Sequence, residues 1–301
     1  MMRLAFLVAL ASGAASAFCD SQPDDPKAQL RESRLFSEFK DNYVISGWPG
    51  SGGQPAGFVR FQVSVKANLV PTRSPCTIFF TFTQKTLWDL WNFHGSSPFV
   101  DADYNPGLFL AWRRTDTPWR NDRERGITPT LLLLGFEHES NGRDGPLSRS
   151  WNRFTVLSRF AYFMPGGWSF AVQPSLWAPL VQRRDSDGGG NPDLTRYFGY
   201  GQLLLDAGRT LVIEDGSRKI VARDWSVTTT LRAGTDFAHG LAEISARKRV
   251  PWPRLSPLAL FAQCSFGYGE VLLTYNQRRS VCRVGFSIED RSTYEITTGL
   301  Q

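Results

Sequence analysis

Residues 130–163 read TLLLLGFEHESNGRDGPLSRSWNRFTVLSRFAYF, and the two halves of this stretch alternate with period two on either side of a turn. Successive side chains of a strand point to opposite faces. Leu132, Leu134, Phe136, His138 and Ser140 therefore share one face, while Gly135, Glu137 and Glu139 share the other. On the return, Asn152, Phe154, Val156 and Phe160 form the oily face, and Arg153, Thr155 and Arg159 form the wet one. The intervening Asn141-Gly142 and Asp144-Gly145-Pro146 are turn formers, so a hairpin centred near Gly145 sets position 138 opposite 152. The oily face of this hairpin ends in a histidine, a serine and an asparagine.

The same alternation extends along the chain. Phe61, Val63 and Val65 alternate with Arg60, Gln62, Ser64 and Lys66; Trp225, Val227, Thr229 and Leu231 alternate with Asp224, Ser226, Thr228, Thr230 and Arg232. Cys282, Val284, Phe286 and Ile288 do so against Arg283, Gly285, Ser287 and Glu289. Strand-like stretches lie between, near 77–88, 105–114, 130–140, 150–163, 167–180, 195–206, 208–215, 237–247 and 257–268. That makes about twelve strands of the roughly 9–11 residues that cross a bilayer. Such strands fit a soluble β-sandwich, which would bury the oily face against a second sheet. Two details favour an all-β, antiparallel transmembrane β-barrel: Arg, Lys, Gln and Ser on the wet faces suit a hydrated lumen, and rings such as Trp88 and Trp91 gather near strand ends as in an interfacial girdle. Closure also satisfies every backbone amide inside lipid.

The aromatic fraction of 13%, with 10 Trp and 22 Phe, excludes disorder and needs a large apolar receptor. A formal charge of +6 raises nucleic acid as a partner, but no Lys/Arg block interleaved with aromatics occurs. The run Arg247-Lys248-Arg249 is expected in a turn or against anionic headgroups. Met1-Met2-Arg3, the apolar Leu4 to Leu10 and the small Ala15-Ser16-Ala17 form a secretory signal cut after Ala17, too short to span a membrane. The expected organisation is a signal peptide over 1–17, a periplasmic N-terminal arm over 18–56 with helical potential from Leu30 to Phe39, a barrel over 57–290 and a C-terminal tail over 291–301. Export would allow disulfides among Cys19, Cys76, Cys264 and Cys282; Cys264 and Cys282 could face each other across a hairpin, but four cysteines permit three pairings.

A nucleophilic serine needs a base within hydrogen-bond reach and a third group fixing the base's tautomer. The 130–163 hairpin offers Ser140, His138 and Asn152 for those roles, with a neutral carboxamide in place of a carboxylate. The string GFEHESNGRDGPLSRSWNR at 135–153 resembles the signature of the outer-membrane phospholipase A family. Further blocks follow in the family's order: FTQKTLWDLWNFHGSSPF at 82–99, YNPGLFL at 104–110, NPDLTRYFGYGQLLL at 191–205 and GYGEVLLTYN at 267–276.

The resemblance implies a multi-pass barrel in the bacterial outer membrane that removes acyl chains from glycerophospholipids. It implies Ser140 as nucleophile, His138 as base, Asn152 as the residue holding the imidazole, and the Gly142 amide together with water on a bound calcium ion at the oxyanion. It also implies a calcium site built from the Arg143 carbonyl and Ser148 hydroxyl of one subunit and the Ser96 carbonyl of another, and hence an active homodimer with Gln84 at its interface. Two features depart from the family pattern. Glu139 stands where Asp is usual, with parity pointing it away from the triad, and the C-terminal STYEITTGLQ lacks a terminal aromatic residue. The competing readings are a non-enzymatic porin-like or structural barrel and a soluble ligand-binding sandwich. Asn191-Pro192-Asp193 is expected to be only a turn.

Overall fold

The computed structural model describes residues 36–47, 58–69, 76–90, 92–96, 98–113, 126–180, 189–215, 218–251, 257–288 and 293–294. The stretch 1–17 read as a signal, Cys19 and Trp91 lie outside the described residues. Two short strands, β1 (Phe36–Glu38) and β2 (Asn42–Gly47), precede β3 (Val59–Asn68), β4 (Cys76–Trp88), β5 (Phe99–Arg113), β6 (Thr128–Ser140) and β7 (Ser150–Met164). Then come β8 (Trp168–Pro179), β9 (Gly201–Asp215), β10 (Arg218–Ala233), β11 (Gly240–Arg249), β12 (Leu258–Gly267) and β13 (Arg279–Ile288). Each strand from β2 onward pairs antiparallel with the next, and β13 pairs with β2, so twelve strands close into a barrel. β1 continues the rail of β2, with Phe36 opposite Ala67 and Tyr43 opposite Gln62. A two-residue strand, Thr293–Tyr294, pairs with β10 and is not part of the ring.

Closure rules out the sandwich, since no second sheet covers the apolar face among the described residues. Phe154 is 56% exposed, Leu176 65% and Val284 65%, and Val63, Leu108, Leu260 and Phe286 face outward beside them. An apolar outer band around a polar interior is what a lipid-facing barrel requires. Inside, Arg60, Lys66, Glu137, Arg153, Asp206, Glu270 and Arg283 are buried. Opposite charges meet across the lumen, as where Arg60 meets Glu243 at 3.0 Å and Arg159 meets Asp206 at 2.9 Å. Phe79, Phe109, Ala111 and Leu133 fill one end. At the other, Trp151, Leu194, Tyr197, Phe198, Leu272 and Tyr275 pack together, joining a short helix α1 (Leu194–Phe198) and the 268–278 loop to the barrel wall.

Three expectations change. Residues 36–47, read with the N-terminal arm and partly as helix, are strands: Tyr43 and Ile45 point inward to pack with Phe261, and the same segment closes the ring. The stretches 195–206 and 208–215 are not two strands, because residues 194–198 are helical and 201–215 run as one continuous strand. The loss of one strand and the gain of another leave the count at twelve. The run Arg247-Lys248-Arg249 is the end of β11, so alternation splits it: Arg247 bonds Asp41 from inside, Arg249 is buried, and Lys248 meets Asp224 at 2.7 Å. Cys264 and Cys282, directly opposite across β12 and β13, form a disulfide. Trp88 lies 5.2 Å from Phe99 and Trp168 lies 5.0 Å from Trp225, ring pairs near opposite ends of the outer face.

The β7–β8 turn shows how tightly the far end is drawn. Gly166 and Gly167 have φ of 77° and 81°, and a Cβ on Gly167 would lie 2.2 Å from the Thr210 carbonyl oxygen, so only glycine fits.

Candidate active site

The β6–β7 register fixes the site. Glu137 pairs with Arg153, His138 with Asn152, Glu139 with Trp151 and Ser140 with Ser150. Because parity alternates along each strand, the second and fourth rungs face outward and the other two face the lumen. On the outer face His138 Nδ1 and Asn152 Oδ1 lie 2.9 Å apart. A carboxamide oxygen only accepts, so Nδ1 is the donor in this bond and Nε2 is the nitrogen left for another partner. One rung below, Phe136 and Phe154 stack edge to face at 5.4 Å, giving the dyad an apolar floor. Ser140 stands two residues on from His138 on the same face and pairs with Tyr104 of β5 on its other side. The Ser140 hydroxyl makes no hydrogen bond to His138 here.

The lumen rungs clamp this geometry from behind. Arg153 donates to Glu137 at 2.9 Å and to Glu139 at 2.8 Å, Thr155 donates to Glu137 at 2.8 Å, and the Trp151 indole donates to Glu139 at 3.0 Å. Charge-assisted bonds of this kind across buried strands oppose register slip. Glu139 points inward as parity requires, and its longer reach lets it bridge Trp151 and Arg153. The role of this clamp is invisible in a motif search, although the alternation that puts Glu137, Glu139, Trp151 and Arg153 on one face is legible.

The loop after Ser140 carries the other expected residues. Gly142 adopts φ 63°, a left-handed conformation natural to glycine, and its Cα faces the Tyr104 ring. The hydrogen bonds of Ser148 involve only its backbone among the described residues: its N–H donates to Gly145 O, and its carbonyl accepts from Gly190 and Arg149. Its hydroxyl and the Arg143 carbonyl remain as oxygen donors. Ser96 ends a 3₁₀ turn (Phe93–Gly95) between β4 and β5, exposed and left-handed at φ 58°, without a hydrogen bond to Arg143 or Ser148. No group of three His, Cys, Asp or Glu side chains arranged for a metal occurs among the described residues. Gln84, which donates to Thr86 at 3.2 Å, lines an outer cleft of about 240 Å³ with Phe99, Tyr104, Asn141 and Arg143. The Asn191-Pro192-Asp193 stretch is more than a turn: buried Asn191 accepts from the Ser150 N–H at 2.9 Å and so braces the first residue of β7.

Fold and site together define a twelve-stranded outer-membrane barrel that presents a buttressed His–Asn pair and a serine to lipid. Residues 54–288 match the family described as phospholipase A1, and the chain belongs to that family. Phospholipase A1 of Salmonella typhimurium is 32% identical over 213 residues, which cover 70% of this chain; the chain spans 61% of the length of that relative. An Escherichia coli outer membrane phospholipase A, solved as an active-site mutant with an asparagine changed to alanine, superposes with a TM-score of 0.64 at 25% identity, covering 90% of this chain and 95% of that one. The Salmonella typhi outer membrane phospholipase, solved as a dimer with bound calcium, gives 0.64 at 26% identity over 90% of this chain and 99% of that one.

Proposed function

We propose that the chain is a calcium-dependent phospholipase of the outer membrane, hydrolysing acyl ester bonds of glycerophospholipids and lysophospholipids by a Ser-His-Asn mechanism and activated by dimerisation. The observation that carries this reading is the 2.9 Å His138–Asn152 hydrogen bond on the lipid-facing surface, two residues from Ser140 on the same face. The asparagine whose loss is an active-site mutation in the Escherichia coli enzyme supports a third member of this kind.

In the proposed mechanism Ser140 Oγ attacks the ester carbonyl carbon and passes its proton to His138 Nε2, while Nδ1–H stays bonded to Asn152. The tetrahedral oxyanion faces the Gly142 N–H. As the intermediate collapses, the C–O bond to the glycerol breaks, His138 returns the proton to the departing alkoxide, and the acyl group remains on Ser140. Water then attacks the acyl-serine with His138 again as base, releasing fatty acid and the free hydroxyl. The neutral carboxamide orients the ring but supplies no countercharge to imidazolium, which places more of the electrostatic work on the oxyanion side.

Calcium fits that need. The Arg143 carbonyl and Ser148 hydroxyl offer hard oxygen donors beside Gly142, and the exposed Ser96 carbonyl of a second subunit would complete the set. Bound there, the ion would supply positive charge next to the oxyanion. The outer cleft lined by Gln84 and Tyr104 lies on this flank, where two copies would meet and lipid chains would enter.

Fatty-acid release from mixed micelles by purified protein tests the reading. Release with calcium, and its loss both in chelator and in Ser140→Ala, is expected; equal release in all three discards the mechanism.

A further inference from the structure

Asn141 follows the proposed nucleophile, yet it lies turned inward and only 4% exposed. Its side chain makes four hydrogen bonds. Nδ2 donates to Asp101 Oδ1 at 3.3 Å and to the Leu147 carbonyl at 2.9 Å, and Oδ1 accepts the N–H groups of Arg149 at 3.0 Å and Arg143 at 3.4 Å. Its own N–H donates to the Arg149 carbonyl at 3.0 Å. One carboxamide thus ties both ends of the 142–149 loop, the segment that contains Gly142, Arg143 and Ser148.

The anchor is itself anchored. Asp101 is fully buried on β5; one of its oxygens meets Asn141 and the other accepts the Leu273 N–H at 2.7 Å. Neighbouring Asp103 accepts the Leu272 N–H at 3.1 Å, so two carboxylates of β5 pin the 268–278 loop across the mouth of the lumen. Arg143 reaches the same strand end, donating to the Val100 carbonyl at 2.8 Å. A buried polar side chain with all its bonding groups used is costly to misplace, which makes it a strong determinant of loop shape.

We infer that Asn141, held by Asp101 to the 268–278 loop, is the positioning residue that sets the oxyanion and calcium loop. The inference rests on the phospholipase reading, because it assigns that loop its task. In this role Asn141 acts through the backbone of Gly142, Arg143 and Ser148, which its buried side chain holds in place.

Two readouts test it, one without calcium. In chelator, hydrogen exchange of peptides spanning 141–149 should quicken about tenfold in Asn141→Ala, the effect of losing buried hydrogen bonds, while β6 peptides ending before His138 stay as in wild type. The calcium concentration giving half-maximal cross-linked dimer in detergent should rise by about the same factor. Asn141→Asp alone sets two carboxylates together and should behave similarly. Adding Asp101→Asn should restore part of both readouts, since the new amide can donate to the new carboxylate while its oxygen still accepts from Leu273; the bond to the Leu147 carbonyl stays lost because a carboxylate cannot donate. Unchanged loop exchange, an unchanged calcium midpoint, or a double variant no better than Asn141→Asp overturns the inference. If Asn141→Ala fails to give a heat-modifiable barrel, the double variant and Asn141→Ser decide by the same criteria. Wild type that neither dimerises with calcium nor releases fatty acid would sink the phospholipase reading itself, a result distinct from any of these.

Discussion

Asn152 offers His138 orientation without charge, and this sets what its loss should cost. An aligned carboxamide fixes the imidazole tautomer through a 2.9 Å bond, so Asn152→Ala should lower kcat/KM by roughly 10–100-fold, about 1.4–2.7 kcal/mol, with KM little changed. Steady-state kinetics on one micellar substrate checks this; an equal loss through KM alone would mean that Asn152 binds lipid rather than steering His138. Gly142→Ala should lower kcat, because the left-handed φ of 63° disfavours a side chain and the added Cβ would lie 3.2 Å from the Tyr104 ring. At this scale the pairing of His138 with Asn152 is legible from the turn residues and from parity. The Asn141 side chain is not, since a carboxamide in a turn has many local partners and only the assembled barrel brings Asp101 beside it.

Elements carry the site through the β6–β7 hairpin, whose lumen rungs hold the register that the outer rungs use. Glu139→Gln weakens the bond to Arg153 while Arg153 keeps Glu137, so barrel stability should fall by about 1–3 kcal/mol in denaturant titration, with the tautomer-dependent steps intact. The β10–β11 turn is a second buttress. There Asp236 accepts from Arg196 at 2.9 Å and from the backbone of Ala238 and His239 at 3.1 and 3.2 Å. Although desolvation pushes the carboxyl of this exposed residue up, the bonds from Arg196 and His239 outweigh it and hold the carboxyl down at about 2. A depressed carboxyl stabilises above its unfolded value of about 3.9 and loses that contribution as pH falls through the folded value. Amide protection of Ala238 and His239, corrected for intrinsic rates, should therefore hold at pH 5 and fail near pH 2, and Asp236→Asn should remove the pH dependence. Period-two patterning finds most of these strands. It misses β2 because Tyr43 and Ile45 lie in a segment too short to show alternation, and it divides β9 because Ala207-Gly208 reads as a break when the partner strand that carries it through is unknown.

The whole molecule reconciles a polar interior with an oily exterior by closing the sheet. Paired charge in the lumen, as between Arg60 and Glu243, and apolar side chains turned outward make the barrel a lipid-facing protein, and heat-modifiable migration in detergent gels is the expected signature. The wet faces are readable as a lumen, but the partners across it are not: Arg60 and Glu243 are separated by most of the chain, and topology brings them to 3.0 Å. The proposed calcium site and dimer belong to this scale as well, because no hydrogen bond among the described residues joins Ser96 to Arg143 or Ser148 within one chain. Removing calcium should return the protein to monomer, read by cross-linking, and Gln84→Ala should weaken the dimer without unfolding the barrel. Acid quench of the protein during incubation with a phospholipid, followed by mass spectrometry of the peptides, reads the proposed nucleophile itself. One acyl chain on Ser140 and none in Ser140→Ala is expected; an acyl chain on another residue, or undiminished fatty-acid release by Ser140→Ala, would overturn the mechanism.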